Sequence, residues 1–251
     1  MPFGLNSAPE IYQRMMEEVT AGLVNVEVSA DDILVFAQDV ASLDHYTEEL
    51  FKKLLAAGLK LNPAKCVMKP STSVKFLGHI ISDKGILPDP EKVEAVRNIK
   101  TPENLTELKS ILGTLTYLAK FIPNLSDKTN MLRDLLRGAV KLYWSPVHDE
   151  TLLSLKNTIS EDTLLRHFDP DVQIVLQVDA SSYALGAVLL QDGYPFSFAS
   201  AALDETEQNL AQIEMFAIVF GLRKFHNYVF GRHVIIHTDH KPLEAIFKKP
   251  F

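Results

Sequence analysis

Cysteine is nearly missing from this chain. Cys66 stands alone among 251 residues, which excludes a disulfide framework and suits a reducing compartment. No apolar run approaches the roughly 20 residues that a bilayer-spanning helix needs, and no signal-peptide pattern opens the sequence. A soluble, intracellular protein with no membrane partner is therefore expected. A net positive charge is lacking too: 25 Lys and Arg against 32 Asp and Glu leave a formal charge of −7, which argues against a nucleic-acid binder that is basic throughout. What the chain does have is 47% hydrophobic content and room for more than one core, as in a packed multi-domain globular protein.

The negative average conceals a local asymmetry. Between Phe51 and Ser82 stand six lysines (Lys52, Lys53, Lys60, Lys65, Lys69 and Lys75) and no acid. A solvated surface accounts for scattered lysines equally well; the sharper reading is a track for a phosphate backbone, with Lys60 and Lys65 as candidates. Just upstream, Asp31 and Asp32 lie between Val24–Ala30 and Ile33–Phe36, two β-prone runs, which predicts a hairpin with charge at its tip. A carboxylate pair beside half-buried strands is costly unless water or a cation neutralises it. The alternatives are an ordinary solvated Asp-Asp turn, since turns are rich in Asp, and a divalent-metal site.

Three parts are expected. Residues 1–90 carry helices over about 10–21, with Ile11, Met15 and Val19 at helical spacing, and over about 43–57. Ile86-Leu87-Pro88-Asp89-Pro90 punctuates the chain, because both prolines fix φ and restrict the residue before them. Residues 91–170 read as helical, with an apolar stripe at Leu105, Leu108, Ile111, Leu112, Leu115 and Leu118, then a stop at Phe121–Ser126 and further helices near 127–136 and 152–159. Over 171–251 the period changes to three strands (172–178, 184–191, 195–201), a long helix (205–228), a fourth strand (234–238) and a short helix (242–247). Asp179 and Asp239 end two of those strands. Glu214 sits on the long helix between Ile213 and Met215; either it points outward, or it faces the sheet and joins the two aspartates in a metal site.

These residues resemble the reverse transcriptase and ribonuclease H region of gypsy-type long-terminal-repeat retroelement polyproteins. Met1–Pro9 resembles the template-positioning loop, the Asp31-Asp32 pair the catalytic palm hairpin, and Phe76-Leu77-Gly78-His79 the primer-grip hairpin. Leu112-Gly113, Tyr117 and Phe121–Ser126 resemble the connection, and Asp179, Glu214 and Asp239 match the ribonuclease H acids one by one. The resemblance implies an α/β (α+β) fold: a partial polymerase palm and thumb, a helical connection, and a ribonuclease H-like mixed sheet with helices. It implies an RNA-directed DNA polymerase with ribonuclease H activity, running two-metal phosphoryl transfer with Mg²⁺, for which Mn²⁺ can substitute. Asp31, Asp32, Asp179, Glu214 and Asp239 would then be both catalytic and metal-binding. Gly4, Gln13, Lys60, Lys65, Phe76, Leu77, Gly78 and His79 would contact nucleic acid: a primed RNA or DNA template, or an RNA–DNA hybrid. dNTP is a partner of the full-length family, and a cytoplasmic particle or the nucleus the expected location. Ser29 and Ala30 depart from the Tyr and aliphatic residue usual before the Asp pair.

The resemblance also implies that the chain is a piece of a longer polyprotein, with a third polymerase aspartate before it and a fourth nuclease acid after it. By itself it is expected to be inactive as a polymerase and at most weakly nucleolytic. The competing reading is a non-catalytic relic or adapted nucleic-acid-binding protein.

Overall fold

The computed structural model describes residues 6–137, 141–160, 163–204, 206–209 and 213–239. They form two compact units divided between Asp83 and Lys84. No described helix is long and apolar enough to cross a membrane.

In the first unit, helix α1 (Ala8–Thr20) lies against a hairpin of β1 (Val26–Ser29) and β2 (Asp32–Val35), and helix α2 (Val40–Ala56) packs beside them. The buried stripe of α1 differs from the expected one. Met16 is 3% exposed and packs with Tyr12 and Val19, whereas Ile11 and Met15 face outward. Two overlapping stripes were available one residue apart, and the hairpin's Val26, Val28, Ile33 and Val35 meet the 12–16–19 one together with Leu50 and Leu54 of α2. Asp39 caps α2 by accepting from the Ser42 amide at 2.8 Å. Gly58, at φ +69°, ends it, where the Leu59 amide donates to the Leu54 carbonyl. A second hairpin follows, β3 (Ser73–Phe76) and β4 (His79–Ser82), joined by Leu77 and Gly78, both at positive φ. That is the two-residue turn whose twist suits a hairpin, with glycine at the second central position.

The second unit begins with β5 (Gly85–Pro88). The sequence placed the boundary near 90; the chain belongs to the second unit earlier because Ile86 exchanges two backbone hydrogen bonds with Leu165, at 2.7 and 3.0 Å. Gly85 is required for that approach: φ is +139°, and a Cβ there would stand 2.1 Å from the Leu165 carbonyl oxygen. Gly85→Ala is therefore expected to destabilise the chain by about 2 kcal/mol or more, since it combines backbone strain with overpacking. Urea unfolding followed by Trp144 fluorescence measures it, and a change below about 0.5 kcal/mol would refute the close approach.

Among the described residues, α-helices follow: α3 (Pro90–Arg97), α4 (Leu105–Tyr117), α5 (Leu125–Lys128), α6 (Asn130–Asp134) and α7 (Pro146–Ser160). Asn104 and Glu107 cap α4 reciprocally: the Glu107 amide donates to Asn104 Oδ1, and Asn104 Nδ2 to Glu107 Oε1. Leu108, Leu112, Leu115 and Leu118 are buried with Leu132, Leu155 and Leu165. Next comes a four-stranded sheet of β6 (Ile174–Ala180), β7 (Ala184–Gln191), β8 (Tyr194–Ala202) and β9 (Val234–His237), in the order β8-β7-β6-β9. The first three strands are antiparallel, and β9 joins β6 in parallel. The helical segment and the sheet share one unit rather than dividing at 170–171: Phe198 of β8 packs into the helical core and α5 lies on β7 and β8.

The expected long helix over 205–228 is interrupted. Its described residues hold a single 3₁₀ turn at Glu207–Asn209, helix α8 (Ile213–Lys224) and helix α9 (His226–Val229). Asp204 and Glu207 cap each other's amides ahead of the turn, at 2.7 and 2.9 Å, and Phe225, at φ −101° and ψ 21°, breaks the helix before α9. The helix expected over 242–247 lies outside the described residues.

Candidate active sites

The first constellation is the tip of the β1–β2 hairpin. Ser29 pairs with Asp32, so the turn is Ala30-Asp31 and the two carboxylates occupy the second turn position and the first residue of β2. Both side chains are exposed. Ala30 sits at φ +51°, a left-handed conformation that costs an L-residue roughly 1–2 kcal/mol. What holds it is Gln13 of α1, whose Oε1 accepts from the Ala30 amide at 2.6 Å while its Nε2 donates to the Val28 carbonyl at 3.1 Å. The amide of Gln13, expected at nucleic acid, is thus engaged in supporting the aspartate turn. Gly4 lies outside the described residues.

Of the six lysines, Lys52 is paired with Glu48 and Glu49 one turn back on α2, at 3.1 and 3.0 Å, and the bonds and charges of those acids raise its pKa. Lys53 donates to the Ala21 carbonyl. Acids before Phe51 thus reach forward along the helix, and Lys52 belongs to ion pairs rather than to a run of unopposed cations. Lys60 and Lys65 are exposed, past the helix end. Phe76 and His79 are the last cross-strand pair of the β3–β4 hairpin, and Leu77 is 46% exposed at its turn.

The second constellation is built by sheet register. Parallel pairing runs from Ile174 opposite Val234 to Gln177 opposite His237. Asp179 stands in β6 two residues past Gln177, and Asp239 two residues past His237, beyond the end of β9. β8 finishes at Ala202, opposite Ala184, at that same end of the sheet, and β9 starts opposite Ile174 at the other. The connecting helix α8 therefore starts at the aspartate end and runs back. Glu214 is in its first turn. Along α8, Ala217 and Ile218 are buried, and Gly221 lies so close to the sheet that a Cβ there would stand 3.0 Å from Leu176 Cδ1. Glu214 precedes these by three, four and seven residues, the spacing of one helix face. Glu214 thus belongs to the sheet-facing stripe, with a buried Oε2.

Asp179 has a further neighbour that the sequence did not reveal. Asn124, at the start of α5, donates from Nδ2 to Asp179 Oδ2 at 2.8 Å. The donor set of Asp179, Glu214 and Asp239 is all carboxylate, the ligand type hard divalent cations take, and in that sense fits them. Among the described residues, no three acidic or histidine side chains are already gathered around one cation position.

Residues 1–81 match the family model for reverse transcriptase (RNA-dependent DNA polymerase), and residues 144–236 match the model for the RNase H-like domain found in reverse transcriptase. The Retrovirus-related Pol polyprotein from transposon 297 of Drosophila melanogaster is 37% identical over 248 residues. The Transposon Tf2-3 polyprotein of Schizosaccharomyces pombe is 34% identical over 254. The chain belongs to the reverse transcriptase and ribonuclease H region of the retrotransposon polyproteins. Both alignments cover 97% of this chain, which spans 23% and 19% of those relatives' own lengths. Among solved structures, the foamy viral protease-reverse transcriptase in complex with RNA/DNA hybrid superposes with a TM-score of 0.86 at 23% identity, covering 100% of this chain and 35% of that one. The same protein as a dRH form in complex with double-stranded DNA gives 0.84, covering 97% and 44%. At that identity the likeness is one of fold, the mixed α/β arrangement expected of a reverse transcriptase with an RNase H-like sheet.

Proposed function

We propose that this reverse transcriptase segment serves RNA-directed DNA synthesis through its first unit and hydrolysis of the RNA strand of an RNA–DNA hybrid through its second. The observation that supports the nuclease half is the parallel β6–β9 register, which runs to Gln177 opposite His237, two residues before Asp179 and Asp239, together with α8, whose first turn carries Glu214. Those three side chains, and Asp31 with Asp32 in the polymerase half, would hold divalent cations, Mg²⁺ in the first instance. Bound there, such cations supply activation of the attacking oxygen and neutralisation of the leaving one. The protein's own part is positional. The β1–β2 hairpin, braced by Gln13, presents its two carboxylates to solvent at a primer terminus, and Lys60 and Lys65 face the phosphate backbone.

The test is cleavage of labelled RNA–DNA hybrid by purified protein, with single-stranded RNA and chelator as controls. Metal-dependent, hybrid-selective cleavage supports the nuclease reading. Binding without cleavage supports the alternative of a nucleic-acid-binding relic.

Binding itself is expected to weaken steeply with salt. Reversing Lys60 and Lys65 to Glu should reduce the magnitude of the slope of log affinity against log salt by about 0.7 to 0.9 for each phosphate no longer neutralised. Fluorescence anisotropy with a primer–template duplex at several salt concentrations measures this. An unchanged affinity and slope would remove these two lysines from the backbone track.

A further inference from the structure

Asn124 opens α5 in a left-handed conformation, φ 52° and ψ 39°. An asparagine in that place ordinarily turns its side-chain oxygen back onto the helix amides. Here it makes no such cap. The amide is instead carried onto the sheet, where Nδ2 donates to Asp179 Oδ2 at 2.8 Å. Room is left for it by Gly186, the cross-strand partner of Asp179: a Cβ at Gly186 would stand 2.1 Å from Asn124 Oδ1. Two further links hold the segment in place. The Ser126 amide donates to Ser200 Oγ at 2.9 Å, and Ser181 Oγ donates to Asp127 Oδ1 at 2.6 Å.

We propose that Asn124 is a positioning residue for the nuclease carboxylate: it fixes the rotation of Asp179 by occupying Oδ2, so that Oδ1 is presented to a divalent cation. This rests on the nuclease reading above. A carboxylate oxygen that accepts one amide bond keeps further lone pairs for a cation, and partners of this kind typically change metal affinity 10- to 100-fold when removed. Gly186 belongs to the same device, since the missing side chain is what admits the amide.

Asn124→Gly is the decisive variant, because glycine adopts the left-handed backbone freely and only the amide is lost. The full chain and its variants would be compared by calorimetric Mn²⁺ binding, by the Mn²⁺ concentration for half-maximal hybrid cleavage, and by thermal melting. Asn124→Gly is expected to weaken Mn²⁺ binding about 10- to 100-fold and to be rescued at high Mn²⁺, while melting stays within a few degrees of the parent. Gly186→Ala is expected to do the same, and the double variant to be no worse than either single one, because both changes remove the same hydrogen bond. Parental Mn²⁺ binding that is lost in Asp179→Asn but unchanged in Asn124→Gly overturns the positioning role and leaves the nuclease reading standing. Parental binding that is absent, or indifferent to Asp179→Asn, overturns both.

Discussion

Asp179→Asn is expected to reduce hybrid-dependent RNA cleavage to background, a loss of about a thousandfold or more, because residues that act as one unit lose their function together. The substitution keeps side-chain size and strand position while removing a charge and the best oxygen donor at the end of β6. Glu214→Gln and Asp239→Asn should be as severe, since on the proposed nuclease reading each would contribute one carboxylate to the same cation site. Asp31→Asn is the internal control. It belongs to the other compact unit, so hybrid cleavage should be unaffected by it. Initial rates on labelled hybrid with Mg²⁺, with Mn²⁺ and with chelator give the answer. Cleavage that survives Asp179→Asn, or continues in chelator, would mean that the activity comes from somewhere other than these carboxylates.

The largest stability loss is expected at Leu176. It is 0% exposed in the middle of β6, with β7 on one side and β9 on the other, and it meets α8 where Gly221 lets the helix approach. Leu176→Ala removes a fully buried side chain at a junction of three elements, so a loss of about 2–5 kcal/mol is expected, its size depending on how far α8 can settle into the cavity. The converse change tests the same packing. Gly221→Ala overfills it and should cost about 1–3 kcal/mol alone, but less in the Leu176→Ala background, where space has been made. Urea titrations of the four proteins measure the cycle. Strict additivity would mean that the helix does not bear on Leu176.

Much of this site is legible in the chain itself. The Asp31-Asp32 pair between β-prone runs implies a charged hairpin, and Ser29 does pair with Asp32 there. Asp179 and Glu214 are legible as candidate acids because each stands in an apolar, periodic element, where a carboxylate is costly enough to require a reason, and Asp239 because it follows the apolar run of β9. Strand positions are readable because β6 alternates in period two and β6 to β8 are separated by short turns, Asp192-Gly193 among them.

Other features depend on contacts between distant residues. Periodicity offers two stripes on α1, and only the hairpin's side chains select Tyr12, Met16 and Val19 over Ile11 and Met15. Charge counting includes Lys52 in a cationic run, although helical geometry returns it to Glu48 and Glu49. Whether Glu214 faces solvent or the sheet is decided by Gly221, two turns on, which lies against Leu176. The pairing of Asn124 with Asp179 lies beyond any local pattern, since 55 positions separate them. The sequence by itself determined which residues carry charge, which segments are strands or helices, and hence which chemistry is available. Only the tertiary structure decided the β6–β9 register, the face of α8 that carries Glu214 and the hydrogen bond from Asn124 to Asp179, because strand register and the packing of a helix on a sheet arise from contacts that no window of sequence contains.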